Sequence, residues 1–200
     1  MSAKIAVLVS GGGTNLQALI DAQESGILHS GRICLVVSSA PGAYALERAQ
    51  KAGISTVTLA KKQLGGQKEF EAALQKELEE HGIDVIVLAG FMTILSGEFT
   101  TKWPRRILNV HPALIPSFCG EGFYGLRVHQ AALDYGVKVT GATVHYVNHI
   151  PDGGEIIAQR AVEVLPGDTP EILQRRVMEQ AEWVLLPQAT EQVCAGLAAQ

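Results

Sequence analysis

Cysteine is scarce in this sequence: Cys34, Cys119 and Cys194 are widely spaced among 200 residues, with no C-x-x-C pair. That excludes the disulfide framework of a small secreted domain and fits a reducing cytosol. No apolar run approaches the roughly 18 residues of a membrane span. Lys/Arg runs stop at two residues and the formal net charge is −4, so a protein that tracks a nucleic-acid backbone is not expected. No His, Cys, Asp and Glu set has metal-ligand spacing, and no metal is expected. A Gly-x-Ser-x-Gly elbow and a cysteine in an activating context are both missing, which argues against covalent catalysis. Met1-Ser2-Ala3-Lys4 leads straight into an apolar run without signal-peptide architecture, so the expected location is cytoplasmic.

What is present is a hydrophobic fraction of 47% and a charged fraction of 18%, ordinary for a globular chain able to bury a core. Continuous apolar runs at Lys4 to Val9, Arg32 to Ser38 and Asp84 to Ala89 read as buried parallel strands, with a further strand over Thr56 to Ala60. Helices are expected at Thr14 to Glu24, with Thr14 as N-cap, and at Ala43 to Ala52. Others are expected at Gln67 to His81, Leu95 to Lys102, Leu126 to Tyr135 and Pro170 to Leu186, and Gln188 to Ala199 continues the helical pattern. Lys138 to Val147 alternates and pairs with Glu155 to Val164 across an Asp-Gly-Gly turn. The order implies one α/β domain over residues 1–200, a Rossmann-like open sheet, mostly parallel, with an antiparallel pair toward the carboxyl end.

The chain centres on Arg106 to Pro116, RILNVHPALIP. Strand alternation puts Ile107, Asn109 and His111 on one face and Leu108 and Val110 on the other. Pro112 has no backbone donor, so the strand stops where the imidazole appears. An amide and an imidazole then share a carboxyl edge, where open α/β sheets bind ligands. The plain alternative is a turn residue beside a half-buried histidine.

Ser10 to Leu16, SGGGTNL, joins the first strand to the first helix. Gly13, Thr14 and Asn15 there would offer free amides, the two polar side chains of Thr14 and Asn15 and the positive end of a helix to a phosphate monoester; a merely tight turn is the other reading. The loop is not a P-loop, because Gly-Lys-Ser/Thr is absent. Nor is it a dinucleotide fingerprint, since Leu16 takes the last glycine position and the second strand ends in Ser38-Ser39 without an acid. Pro151-Asp152-Gly153-Gly154 is a hairpin turn by composition. An aspartate brought from it to His111 would favour the imidazolium and relay protons. Of the remaining histidines, His29 and His81 read as solvated, His129 lies on a helix, and His149 is open to either reading.

With SGGGTNLQALID, LNVHPALIP and PDGG in that order, the chain resembles the phosphoribosylglycinamide formyltransferases, from Lys4 to about Pro187. The resemblance implies the formyltransferase fold and transfer of a formyl group from 10-formyltetrahydrofolate to glycinamide ribonucleotide. It implies a catalytic trio of Asn109, His111 and Asp152, with Gly13, Thr14, Asn15 and Glu182 at the substrate phosphate and ribose. Lys68, Phe91, Met92, Thr93, Ile94, Leu95 and Asn109 would face the folate. Expected partners are these two small molecules, with no nucleic acid, no membrane and a monomer or homodimer. Three departures stand out. Thr93 stands where many members carry an arginine and Lys68 lies in the neighbourhood of another basic residue, both near the folate tail; the stretch from Ser117 is longer than the family's compact turn, and Glu155 replaces a frequent proline. Rivals are another folate-dependent formyl transferase or hydrolase, and a non-catalytic nucleotide-binding module.

Overall fold

The computed structural model describes residues 2–199. Its seven strands form one sheet: β1 (Ala3–Val9), β2 (Gly31–Ser38), β3 (Ser55–Thr58), β4 (Val85–Leu88), β5 (Ile107–His111), β6 (Val139–Tyr146) and β7 (Ile156–Glu163). The spatial order is β3-β2-β1-β4-β5-β6-β7. Pairings through β5 are parallel and the last two antiparallel. The apolar runs are central because helices cover both sheet faces, so neither set of alternating side chains meets water. Ile5, Val7, Leu108, Val110 and Val144 pack on one face, and Ala6, Leu8, Ile86 and Ile107 on the other.

Helices α1 (Thr14–Glu24) and α2 (Tyr44–Lys51) cover the first face. The second face is covered by α4 (Gln67–His81), whose Phe70, Leu74 and Leu78 are fully buried, and by α5 (Gly97–Thr101) through Phe99. Burying each of these side chains contributes about 1.5–3 kcal/mol. Gly82 ends α4 in the left-handed conformation at φ 62°, as a C-terminal glycine does. A short helix α3 (Lys61–Leu64) precedes α4; the sequence reading had none there and ran the preceding strand on to Ala60. Helix α6 (Leu126–Tyr135) matches its expected bounds.

The expected helix from Pro170 to Leu186 is divided. Helix α7 (Pro170–Val177) opens on Thr169, whose hydroxyl accepts from the Ile172 N–H at 3.3 Å. A π-helical turn, Met178–Glu182, follows, and α8 runs Trp183–Ala198. Pro187 lies inside α8 and cannot donate to the carbonyl four residues back. The π turn rotates Glu182 inward, where it is buried. Among the described residues no helix is long and apolar enough to cross a membrane.

Candidate active site

Asn109 lies opposite His145 and His111 opposite Thr143 in the β5–β6 register. All four therefore share the face of Ile107. Because β6 runs antiparallel to β5, the turn after it starts beside the amino end of β5 and must fold back across this face to reach His111. It does so against α5, with the His149 Cβ close over Gly97. A Cβ on Gly154 would run into the Tyr146 carbonyl, so only glycine lets the chain reverse this tightly. Asp152 takes a left-handed φ of 53°, a conformation tolerated by short polar side chains.

The result is one cluster. His111 is only 4% exposed; its Nδ1 lies 3.4 Å from Asp152 Oδ2 and its Nε2 donates to the Phe118 carbonyl at 2.8 Å. Asp152 Oδ1 lies 3.6 Å from His145 Nε2, and Oδ2 accepts from the Gly120 N–H at 2.9 Å. His145 Nδ1 donates to the Tyr146 carbonyl at 2.9 Å, which leaves Nε2 as acceptor for the Asn109 amide at 3.2 Å. One Asn109 N–H is thus committed to His145 and the second is available to a ligand.

Burial pushes the Asp152 carboxyl up, but His145, His111 and the Gly120 N–H together outweigh it and hold it below the usual carboxylate range. Burial lowers His111 and prevails over the opposing pull of Asp152 and the Phe118 carbonyl. The two groups face each other as an acid–base pair in which Asp152 favours the imidazolium and burial opposes it. Asp152 acts on His111 in the expected sense, toward the imidazolium, against the cost of desolvation. His129 on α6 is buried and pushed down to about 4, first by burial and then by His111. Neither of its ring nitrogens has a hydrogen-bond partner among the described residues.

At the end of β1 the glycine loop is differently made. Gly11 and Gly12 face open space. Gly13, not Thr14, is the residue preceding α1; it is left-handed at φ 73° and supplies no side-chain cap. The first-turn N–H groups thus have no capping oxygen. A Cβ on Gly13 would meet Ala45 Cβ at 2.6 Å and Cα at 2.8 Å, so this glycine is needed for the packing of α2 as well as for the loop. The Asn15 side chain turns inward, its Nδ2 donating to Glu182 Oε2 at 2.8 Å, and only its backbone amide remains for a ligand. Burial raises the Glu182 carboxyl, against the Asn15 hydrogen bond.

The third wall is the segment between β4 and α5. Phe91 stacks on Phe70 with centroids 6.3 Å apart, and Leu95 is buried in the core. Met92 and Ile94 are exposed and Thr93 is half-buried. The Met92 N–H donates to Ser10 Oγ at 2.9 Å, tying this wall to the glycine loop. Gln67 Nε2 donates to the Ile94 carbonyl at 2.9 Å, and the next helix residue, Lys68, is exposed. Among the described residues no group of three His, Cys, Asp or Glu is placed to hold a metal.

The sequence reading grouped Asn109, His111 and Asp152, and these three do converge. His145, within the expected Lys138 to Val147 strand, was not among them, although the alternation that links Asn109 to His111 applies to β6 too and could have placed it. The Phe118 carbonyl and Gly120 amide are backbone groups with no residue signature.

An open α/β sheet that brings Asn109 and His111 of β5 together with Asp152 of the turn after β6, beside a glycine loop at the end of β1, gathers groups able to move protons at the sheet's carboxyl edge. The chain belongs to the formyl transferase family, whose pattern matches residues 3–190. It is 40% identical over 184 residues to the phosphoribosylglycinamide formyltransferase of Haemophilus influenzae, covering 92% of this chain and 84% of that one. The trifunctional purine biosynthetic protein adenosine-3 of Gallus gallus is 47% identical over 193 residues, 96% of this chain and 18% of that protein. The chain thus spans about a fifth of the trifunctional relative's length. The crystal structure of glycinamide ribonucleotide transformylase 1 from Symbiobacterium toebii superposes with a TM-score of 0.90 at 42% identity, covering 98% of this chain and 89% of that one. The antiparallel β5-β6-β7 end and the parallel remainder agree with the formyltransferase fold expected from the sequence.

Proposed function

We propose that residues 1–200 act as one formyltransferase domain in de novo purine biosynthesis. The domain transfers the formyl group of 10-formyltetrahydrofolate to the amine of glycinamide ribonucleotide. The observation that carries this reading is the convergence of Asn109, His111 and Asp152, flanked by the glycine loop and the Phe91 to Leu95 segment. The acceptor's phosphate lies at the Gly13, Thr14 and Asn15 amides, with Glu182 near its ribose. The folate rings lie along Phe91, Met92 and Ile94, with Thr93 and Lys68 toward the glutamate tail.

Transfer is direct. The acceptor amine attacks the formyl carbon, and the new C–N bond makes a tetrahedral intermediate with a negative oxygen. The free Asn109 N–H donates to that oxygen, in a site where burial strengthens the interaction. His111 and Asp152 together take the proton that the amine loses, and ionised Asp152 stabilises the imidazolium. The imidazolium then stabilises the oxygen and returns its proton to the folate nitrogen as the old C–N bond breaks. Products are formylglycinamide ribonucleotide and tetrahydrofolate, and no metal takes part. The chain works in the cytoplasm, where both small molecules are available.

The test is a formyl-transfer assay with purified protein and both substrates, against a control without acceptor. Acceptor-dependent release of tetrahydrofolate supports the reading. Equal release without acceptor would mean a hydrolase, and release in neither would refute catalysis.

A further inference from the structure

Helix α2 grips the glycine loop by hydrogen bonds as well as by packing. The Ala45 N–H donates to the Gly11 carbonyl at 3.1 Å, and Arg48, on the next turn, donates from Nε to the Gly12 carbonyl at 2.9 Å. The Gly13 carbonyl accepts from the Gln17 N–H at 2.9 Å. In a planar trans peptide the C=O of one residue and the N–H of the next point in opposite directions. Holding these carbonyls therefore turns the N–H groups of Gly12, Gly13 and Thr14 away from α2 and from the body of α1. Among the described residues none of these amides has a backbone acceptor. Successive amides left unpaired in this way can serve one anion.

The Gly12–Gly13 peptide is the weak point of this arrangement. Glycine on both sides lets it rotate at little cost, and Gly11 and Gly12 face open space. A peptide turned over would present its carbonyl to the anion instead of its N–H. The bond from Arg48 opposes that rotation, and a charged donor makes it stronger than neutral backbone pairing. Arg48 is itself held: its guanidinium carbon lies 5.0 Å from the Tyr44 ring centroid, and Nη1 donates to Gln17 Oε1 at 3.0 Å. Gln17 Nε2 donates onward to Asp21 Oδ1 at 2.8 Å, so these contacts reach a carboxylate only through Gln17. We infer that Arg48 is a positioning residue for the acceptor's phosphate, its Nε holding the Gly12 carbonyl back and so aiming the Gly13 N–H at the anion. The inference rests on the phosphate occupying this loop, as proposed above.

Arg48 is half-buried, and its replacement leaves the contact between Gly13 and Ala45 in place. In Arg48→Gln the amide nitrogen stands as many bonds from Cα as Nε does, so a donor to Gly12 is kept and the charge is lost. Arg48→Met keeps an apolar stem beside Tyr44 and loses both donor and charge.

The experiment is a titration of the full chain with inorganic phosphate, followed by the ¹H–¹⁵N signals of Gly12, Gly13 and Thr14. KM for both substrates and Tm are measured on the same proteins. Wild type and Arg48→Gln should both show a phosphate-dependent Gly13 signal, with dissociation constants within about three-fold of each other. In Arg48→Met that constant and the acceptor KM should each rise by about ten-fold, with folate KM and Tm little changed. Equal weakening of the Gln and Met variants would mean that Arg48 supplies charge alone, and overturns the inference. Undiminished phosphate binding in Arg48→Met overturns it too, as does a loss shared by phosphate, folate and Tm. A wild-type chain that transfers formyl while its Gly13 signal ignores phosphate refutes the inference and leaves catalysis standing. One that binds phosphate at these amides, with the expected order among the variants, but transfers no formyl group refutes the proposed function and supports the role of Arg48.

Discussion

The two poles of the candidate site are built on opposite plans. At the glycine loop the groups offered to a ligand are backbone amides. What surrounds them is absorbed in packing: the Gly13 backbone lies against Ala45 with no room for a Cβ, and the Asn15 side chain is bonded to Glu182. At the β5–β6 pole the working groups are side chains, and the backbone around them acts as scaffolding through the Phe118 carbonyl and the Gly120 amide. A substitution at the first pole should therefore act through folding, and one at the second through rate.

The largest effect belongs to the second pole. Asp152→Asn is nearly isosteric but removes the charge that stabilises the imidazolium, and should lower kcat by about 10²–10⁴-fold with little change in KM. A stopped-flow assay beside a melting curve checks this. A loss of stability without loss of turnover would reverse the contrast between the poles.

Gly13→Val comes next. It combines a positive φ with a collision against the Ala45 backbone, and should cost about 2 kcal/mol or more, seen as a lower Tm and loss of affinity for both substrates together. Selective loss of acceptor affinity in a stably folded variant would mean that packing is not what Gly13 serves.

Glu182→Gln separates packing from binding at the same pole. The raised Glu182 carboxyl makes the neutral form the favoured one in the folded state. That contribution to stability is fully present below the unfolded carboxyl pKa and is lost as pH rises through the folded one. A glutamine also offers an N–H to Asn15 Oδ1, which has no partner among the described residues, a gain of about 1 kcal/mol. Tm should therefore be higher in the variant, by more at pH 8 than at pH 4, while acceptor KM rises. A Tm that falls equally at both pH values would contradict the burial argument.

Much of this was legible in the residues. The Gln67–His81 helix and the Leu126–Tyr135 helix end where glycine ends them, because Gly82 and Gly136 take the left-handed conformation there. The shared face of Asn109 and His111 follows from strand period alone. The π turn at Met178–Glu182 was not legible, since it changes the hydrogen-bond ladder without changing residue type. Nor was the Asn15–Glu182 bond, which joins residues 167 apart. Thr14 was expected as the cap on residue preference, but Gly13 precedes the helix because Ala45 leaves no room for a side chain.

The smallest expected effect is at the third wall. Thr93 is half-buried between exposed Met92 and Ile94, and Thr93→Arg should tighten folate binding by less than about ten-fold through a guanidinium fork, leaving acceptor KM unchanged. A raised acceptor KM would mean that this segment faces the other substrate.

The most direct test is single-turnover formyl transfer by His111→Ala, Asp152→Asn, the double variant and the wild type, with Tm measured on the same four proteins. Groups that act as one unit lose function non-additively. Each single variant should fall by about 10²–10⁴-fold, the double should be little slower than the slower single, and all four should melt alike. A well-folded His111→Ala protein that transfers formyl at a near-wild-type rate would contradict the account.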